Sequence, residues 1–350
     1  MSQRWPEPER SAGRSLGIAT LALLVVSLLG GGHARADADP PTAPLLRLDL
    51  GMHAAEINSL AVDAKGELVA TASDDKTVRL WHGADGSLIA TLRIPIADGA
   101  EGQINAVALA PDGKRVIAGG ATGFSFGPGF ALYLFDVEKQ AMIGRLPGLP
   151  AAIMDLAYAP NGAAFAVGFA KTAGIRLYSA SGALLAQDTS YGDRVSAIAF
   201  DANNRFAVSS YDGQIRLYDA TGKQINAKPA PGGKHPSSLA FSPDGKSLAV
   251  GYEDARRVDV LAADTLMSRV TPQVVDLDNG ALSAVGWSGT TLYAAGRPRN
   301  RDGGVVVRRW TDGGGGAPSD IAVGRDLVEP GQQEIITSAM RFGKGNFHLR

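Results

Sequence analysis

Apolar and polar positions alternate with a period of two through most of this chain, in short runs separated by turn residues. The first clear unit reads EINSLAVD (56–63), ELVATAS (67–73), KTVRLWH (76–82) and SLIATLR (87–93). These are four predicted strands, a to d, joined by tight turns. A pattern of aliphatic-x-aliphatic-aromatic-polar then marks the end of the third strand in later units: LYLFD (132–136), IRLYS (175–179) and IRLYD (215–219), followed by VDVLA (258–262) and VVRRWT (306–311). Strand a is the most apolar in each unit, as in AVALA (106–110), AIAF (197–200) and SLAF (238–241). That pattern suits a strand buried on both faces. The strand c aromatic is placed to pack on a neighbouring sheet.

A second marker, a Gly- or Asn-bearing turn after strand a, measures the repeat. From Gly66 through Gly113, Gly162, Asn204, Gly245, Gly289 and Gly345 the steps are about 47, 49, 42, 41, 44 and 56 residues. A period near forty with four short strands per unit is the pattern of β-propeller blades. The expected fold is therefore all-β, a propeller of four-stranded antiparallel blades. Six units are complete. Strand-like segments at 335–342 and 346–350, with LLRLDL (45–50), predict an incomplete seventh blade closed by the N-terminal strand. A gap where its strand c belongs would leave unpaired edges, which invite pairing with another chain.

The first residues do not belong to this pattern. Arg4, Arg10 and Arg14 precede a fourteen-residue, mostly apolar run, Leu16 to Leu29, and Ala34-Arg35-Ala36 follows it. That order predicts a signal peptide over 1–36, cleaved after Ala36. A proline-rich linker covers 37–44 and the propeller 45–350. The run is short for a bilayer, which asks for about 20 residues. The expected location is periplasmic or secreted. The alternative is a membrane-anchored form facing the periplasm, with membrane contact only through the uncleaved segment.

Lys and Arg number 34 and Asp and Glu 35. Such balance offers no concentrated basic face for nucleic acid. There is no cysteine, which excludes thiol chemistry and suits an oxidising compartment.

The first unit resembles the WD-repeat β-propellers, a resemblance that covers about 43–350. It implies that His53, Ser73, Asp75 and Trp81 form the family's structural hydrogen-bond tetrad. Met52 stands where the family has glycine, and His82 replaces the terminal aspartate. The fourth unit keeps Ser210, Asp212 and Tyr218, with Tyr191 in the histidine place. Segments such as SYGDRVSAIAFD (190–201) and AFSPDGKSLAVGYED (240–254) also look like the propeller regions of bacterial multidomain proteins that pair WD repeats with a caspase-like peptidase. Without cysteine, the Cys–His dyad of that peptidase cannot be assembled from this sequence.

Other candidate chemistry is thin. No two of the five histidines show zinc-ligand spacing. Gly286-Trp287-Ser288-Gly289 lacks the last glycine of a nucleophile elbow and reads as a hairpin turn. DLDNG (276–280) and DANN (201–204) have calcium-like oxygens but no distal glutamate. Asp63 reads as a solvated turn residue. The glycine-rich 119–129 loop, with exposed Phe124 and Phe126, reads as a flexible loop or a partner contact. Arg297, Arg299, Arg301, Arg308 and Arg309 form a local basic cluster, and the first three are candidate partner contacts beside Phe124 and Phe126.

These residues point to a non-enzymatic, exported scaffold or sensing module that binds a protein or peptide, with no cofactor, no metal and no nucleic acid. Two alternatives stay open. One is a propeller hydrolase or lyase using acids at the axis, such as Asp155, Asp193 and Glu334. The other is a truncated remnant of a larger WD-repeat and peptidase protein.

Overall fold

The computed structural model describes residues 51–275, 277, 280–296 and 306–322. The expected signal peptide, linker and seventh-blade segments lie outside these residues, as do Arg297, Arg299, Arg301 and Glu334. Within them the chain forms six four-stranded antiparallel sheets arranged as the blades of a β-propeller.

Blade one is β1 (Ile57–Val62), β2 (Leu68–Ser73), β3 (Thr77–His82) and β4 (Leu88–Arg93). Blade two follows with β5 (Gln103–Leu109), β6 (Arg115–Ala121), β7 (Phe130–Asp136) and β8 (Ala141–Leu149). The third comprises β9 (Ile153–Tyr158), β10 (Ala164–Phe169), β11 (Ile175–Ser179) and β12 (Leu184–Asp188). In the fourth are β13 (Val195–Phe200), β14 (Phe206–Ser210), β15 (Gln214–Tyr218) and β16 (Gln224–Pro229). The fifth holds β17 (Pro236–Phe241), β18 (Ser247–Tyr252), β19 (Val258–Ala262) and β20 (Ser268–Val270). β21 (Ala284–Ser288), β22 (Thr291–Ala295), β23 (Val306–Trp310) and β24 (Pro318–Ala322) complete the sixth.

No blade is stable alone, because each sheet has two faces to cover. Among the described residues the core is accordingly divided into five layers, each between successive blades. Val78, Leu80 and Ala70 of blade one meet Val107, Leu109, Tyr133 and Phe135 of blade two. In the same way Leu132, Leu134 and Ile117 meet Leu156, Phe165 and Tyr178. The strand c aromatics do pack across the blade interface as the pattern predicts. Trp310 of β23, for example, is fully buried against Val258 and Val260 of blade five.

The inner strands are also tied directly. Asn58 Nδ2 donates to the Ile104 carbonyl at 3.1 Å and Asn105 Nδ2 to the Ile153 carbonyl at 3.0 Å. Ser196 Oγ donates to the Pro236 carbonyl at 2.5 Å and Ser237 Oγ to the Ser283 carbonyl at 2.7 Å. Each donor lies near the start of its inner strand, second in β1, β13 and β17 and third in β5, and each acceptor belongs to the next blade. Blade three has Met154 at this position. Its link to blade four is made by Asp155, whose Oδ2 accepts the Ile198 amide at 2.6 Å.

The strands run so that the a–b and c–d turns share one end of the ring, while the entries to strand a and the b–c turns share the other. At the first end the inner strands surround a bowl of about 790 Å³. Ala61, Ala108, Ala157, Ala199, Ala240 and Gly286 occupy corresponding places in its wall. Such small residues keep the bore open.

Candidate functional site

The chemistry of the fold is concentrated at the strand a entry end, where loops are fastened to strands. In blade one, His53 precedes β1 and lies against the β2–β3 turn. Its Nδ1 meets Asp75 Oδ2 at 2.8 Å and its Nε2 meets Thr71 Oγ1 at 2.7 Å. Trp81 Nε1 donates to the same Thr71 hydroxyl at 2.8 Å. His53, Asp75 and Trp81 are thus joined in one chain, but the hydroxyl that links the histidine to the tryptophan belongs to Thr71, not Ser73. Both residues lie on one face of β2, roughly 6.6 Å apart, and Thr71 is the one level with the Trp81 indole. Ser73, at the strand end, closes the turn instead. Its Oγ donates to the Ala55 carbonyl at 3.2 Å and accepts the Asp75 amide at 3.1 Å.

Asp75 also accepts the Ala54 amide at 3.1 Å and the Thr77 hydroxyl at 2.6 Å. Burial works against its charge, but the bonds from His53, Thr77 and Ala54 outweigh that and hold its pKa far below the ordinary 3.8.

Blade four performs the same fastening with other groups. Asp212 Oδ2 accepts the Gly192 amide at 3.0 Å, the counterpart of the Asp75–Ala54 bond. Arg216 takes the place of the histidine contact, holding Asp212 at 2.7 Å and the Ser190 carbonyl at 2.9 Å. Its guanidinium lies 4.0 Å from the Tyr191 ring centroid. Val208 stands where Thr71 does and offers no hydroxyl, so Tyr191 and Tyr218 bond directly at 2.8 Å, and Tyr218 donates on to Asp188 at 2.7 Å. Burial, helped by the neighbouring Tyr191 and Asp188, pushes the Tyr218 phenol far above its usual range. Blade five repeats the clamp, with Asp254 accepting the Lys234 and His235 amides at 2.8 and 3.1 Å.

In blade two the fastening is made by Glu101, fully buried, which sequence reasoning missed. It accepts the Gly123 amide at 2.5 Å and the Ser125 amide at 2.8 Å. Arg145 reaches in from β8 to the Phe126 and Gly123 carbonyls, both at 3.1 Å. Gly123 has φ +87°, and a Cβ there would meet Ala131 at 2.5 Å. The 119–129 segment is therefore a fastened loop and not a floppy one. Phe124 stays exposed at 38%, its ring 5.4 Å from Phe130, while Phe126 is half-buried.

The basic cluster of blade six divides. Arg308 is buried and paired with Asp320 at 2.8 and 2.9 Å, whereas Arg309 is exposed and donates to Ser319. Arg308 thus leaves the surface cluster.

Carboxylates near the bore are also committed. Asp63 is buried, contrary to the solvated turn expected, because its Oδ1 accepts the Glu67 and Leu68 amides at 2.8 and 3.1 Å. Asp201 accepts the Asn203 and Arg205 amides, both at 2.9 Å, and the Arg205 Nε at 2.8 Å. Asp155 serves the blade joint, and the exposed Asp193 bonds its neighbour, the Arg194 amide. Gly289 sits in the plain β21–β22 hairpin turn.

A family model described as WD domain, G-beta repeat matches residues 46–82 and 184–219. The second stretch spans β12 to β15, so the two matches fall on the two most fully bonded networks. Among curated proteins, the chain is similar to the guanine nucleotide-binding protein subunit beta of Nicotiana tabacum, 36% identical over 124 residues, which is 32% of each chain. The corresponding subunit of Solanum tuberosum is 35% identical over the same length and shares. The chain thus matches these relatives over about a third of their length.

Proposed function

We propose that this chain, a WD-repeat β-propeller, works as a non-enzymatic scaffold that binds a protein or peptide at its strand a entry end. The observation that carries this reading is the fastening of that end. In blades one, four and five a turn aspartate holds backbone amides of the entry loop, and in blade two the buried Glu101 of the entry loop holds amides of the β6–β7 loop. Loops so fixed lose little conformational entropy when a partner lands on them. The described carboxylates near the bore support the same reading from the other side, since their oxygens already serve turns and blade joints. The relatives' name, which makes them subunits of a guanine nucleotide-binding protein, is consistent with a part that works by contact.

We place this scaffold outside the cytoplasm, on the order of basic, apolar and Ala-x-Ala segments in residues 1–36. Two experiments test the proposal. Affinity capture from the exported fraction, with and without cross-linking, is expected to recover a specific partner, and recovery of none overturns the scaffold. N-terminal sequencing of the mature protein is expected to begin at Asp37, and a start at Met1 or Ser2 overturns export by cleavage.

A further inference from the structure

Two arginines of blade four lie over tyrosine rings at the same 4.0 Å distance, yet they are in opposite states. Arg216, over Tyr191, is buried and has its fork filled by Asp212 and the Ser190 carbonyl. Arg194, over Tyr211, is 39% exposed, and among the described residues the nearest carboxylate to its guanidinium is Glu253, 4.0 Å away and itself 54% exposed. That separation is beyond hydrogen-bond range. The Tyr211 ring continues the stack onto His235 of blade five, with centroids 4.8 Å apart and planes 19° from parallel.

The stack rests on a fixed base. The Tyr211 amide donates to the Arg194 carbonyl at 3.0 Å, and the Glu253 amide to the His235 carbonyl at 3.1 Å. The other acids nearby are occupied. Asp193 bonds the Arg194 amide, Asp212 holds Arg216, and Asp254 holds the Lys234 and His235 amides. The result is a guanidinium already aligned by an aromatic face, beside a two-ring apolar ledge, at the end of the ring where loops are fastened. Arg and Tyr in such a setting are the residue types that dominate binding energy at interfaces, and a guanidinium fork matches a carboxylate in two bonds.

We infer that Arg194, Tyr211 and His235 form the anchor site for a peptide segment that presents an Asp or Glu carboxylate next to an aromatic or branched aliphatic side chain. The carboxylate takes the Arg194 fork in place of the loose Glu253 contact, and the apolar neighbour lies along the Tyr211–His235 ledge. This inference rests on the scaffold reading and names the site and partner chemistry for it.

The test is selection of a random dodecapeptide phage library on the purified chain, followed by titration of synthetic copies of the enriched peptides. Enrichment of an acidic residue beside an aromatic or aliphatic one is expected. Arg194→Ala should weaken binding about tenfold or more and Tyr211→Ala comparably, with Arg194→Lys in between because it keeps charge but not the fork. Glu253→Gln should strengthen binding about threefold by removing the competing charge. A purely structural role for the stack would not produce that gain. Lys139→Ala, on the far rim of blade two, should change nothing, and unchanged thermal melts confirm that each variant folds. Enriched peptides without an acidic residue, or ones that bind Arg194→Ala as tightly as the wild type, overturn the inference while leaving the scaffold reading intact. Failure to enrich any peptide overturns it too, and the scaffold then stands or falls on the affinity capture alone.

Discussion

Blade one fastens its entry loop with a histidine held between a carboxylate and a hydroxyl, whereas blade four uses a stacked guanidinium and a pair of tyrosines. The part common to both is the bond from the turn aspartate to a loop amide, Asp75 to Ala54 and Asp212 to Gly192. Blade five keeps that bond through Asp254 while discarding the rest. What the family resemblance presents as four side chains is therefore one required clamp plus replaceable support. The support varies because the clamp must only be kept charged and oriented, and both an imidazole and a guanidinium can do that.

The comparison can be broken most sharply at Arg216. Replacing it with alanine strips a shielded carboxylate of its counter-ion and removes a ring contact, so a loss of about 3 kcal/mol is expected in urea denaturation. His53→Ala leaves Asp75 with the Thr77 hydroxyl and Ala54 amide and should cost less, about 2 kcal/mol. Equal losses would mean that the two supports are equivalent after all.

Next comes the assignment of the hydroxyl. Thr71→Val orphans both Trp81 Nε1 and a His53 nitrogen and should cost about 2 kcal/mol, against about 1 kcal/mol for Ser73→Ala. A reversal of that order would restore Ser73 to the place the family pattern gives it.

At the opposite end of the ring, Asp63→Ala removes the acceptor of two turn amides and is expected to cost about 1 kcal/mol. A change below about 0.3 kcal/mol in the same denaturation assay would show that solvent replaces those bonds.

The smallest effect expected concerns acid. The pKa values of Asp75 and Asp212 are both lowered, in each case against opposing burial, by His53 and Thr77 for the first and by Arg216 and Gly192 for the second. A lowered carboxylate contributes stability that is complete above its unfolded value, 3.8, and is lost as pH falls through the folded one. Stability should therefore decline below about pH 4. In Asp75→Asn the decline should be shallower, read as midpoint against pH, and an unchanged slope would show that Asp75 is not among the groups responsible.

Much of the fold was legible because strand periodicity and turn chemistry are local. The four strands read from the first unit agree with β1 to β4 within one residue or so at each end. The site was harder to read. Thr71 and Ser73 are both small hydroxyl residues on one face of β2, and only the position of a tryptophan on the next strand decides between them. Glu101 reaches amides 22 and 24 residues away, a contact no local pattern encodes. Arg216 sits inside the strand pattern IRLYD as one polar alternate among many, and its role exists only because Asp212 and Tyr191 arrive from two other segments. Asp63 looked solvated because an aspartate before a glycine turn usually is, and its burial follows from the neighbouring blade's turn closing over it, with the Ala64 amide bonded to the Pro111 carbonyl.

Four of the hydrogen bonds between inner strands share one direction. From Asn58, Asn105, Ser196 and Ser237 a side chain of the earlier blade always gives, and the backbone of the later one receives. Each described blade thus packs only on the blades next to it in sequence, and the assembly is thermodynamically a row of coupled units. Damage at one junction should stay there, lowering the free energy of opening for the adjoining pair without spreading to the far side. As Ser59 receives the Val107 amide at the first junction, so Asp155 of the earlier blade receives the Ile198 amide of the later where the third blade meets the fourth. Opening that junction would strand a carboxylate and not a neutral side chain, so it is the place where this row is chemically least like itself.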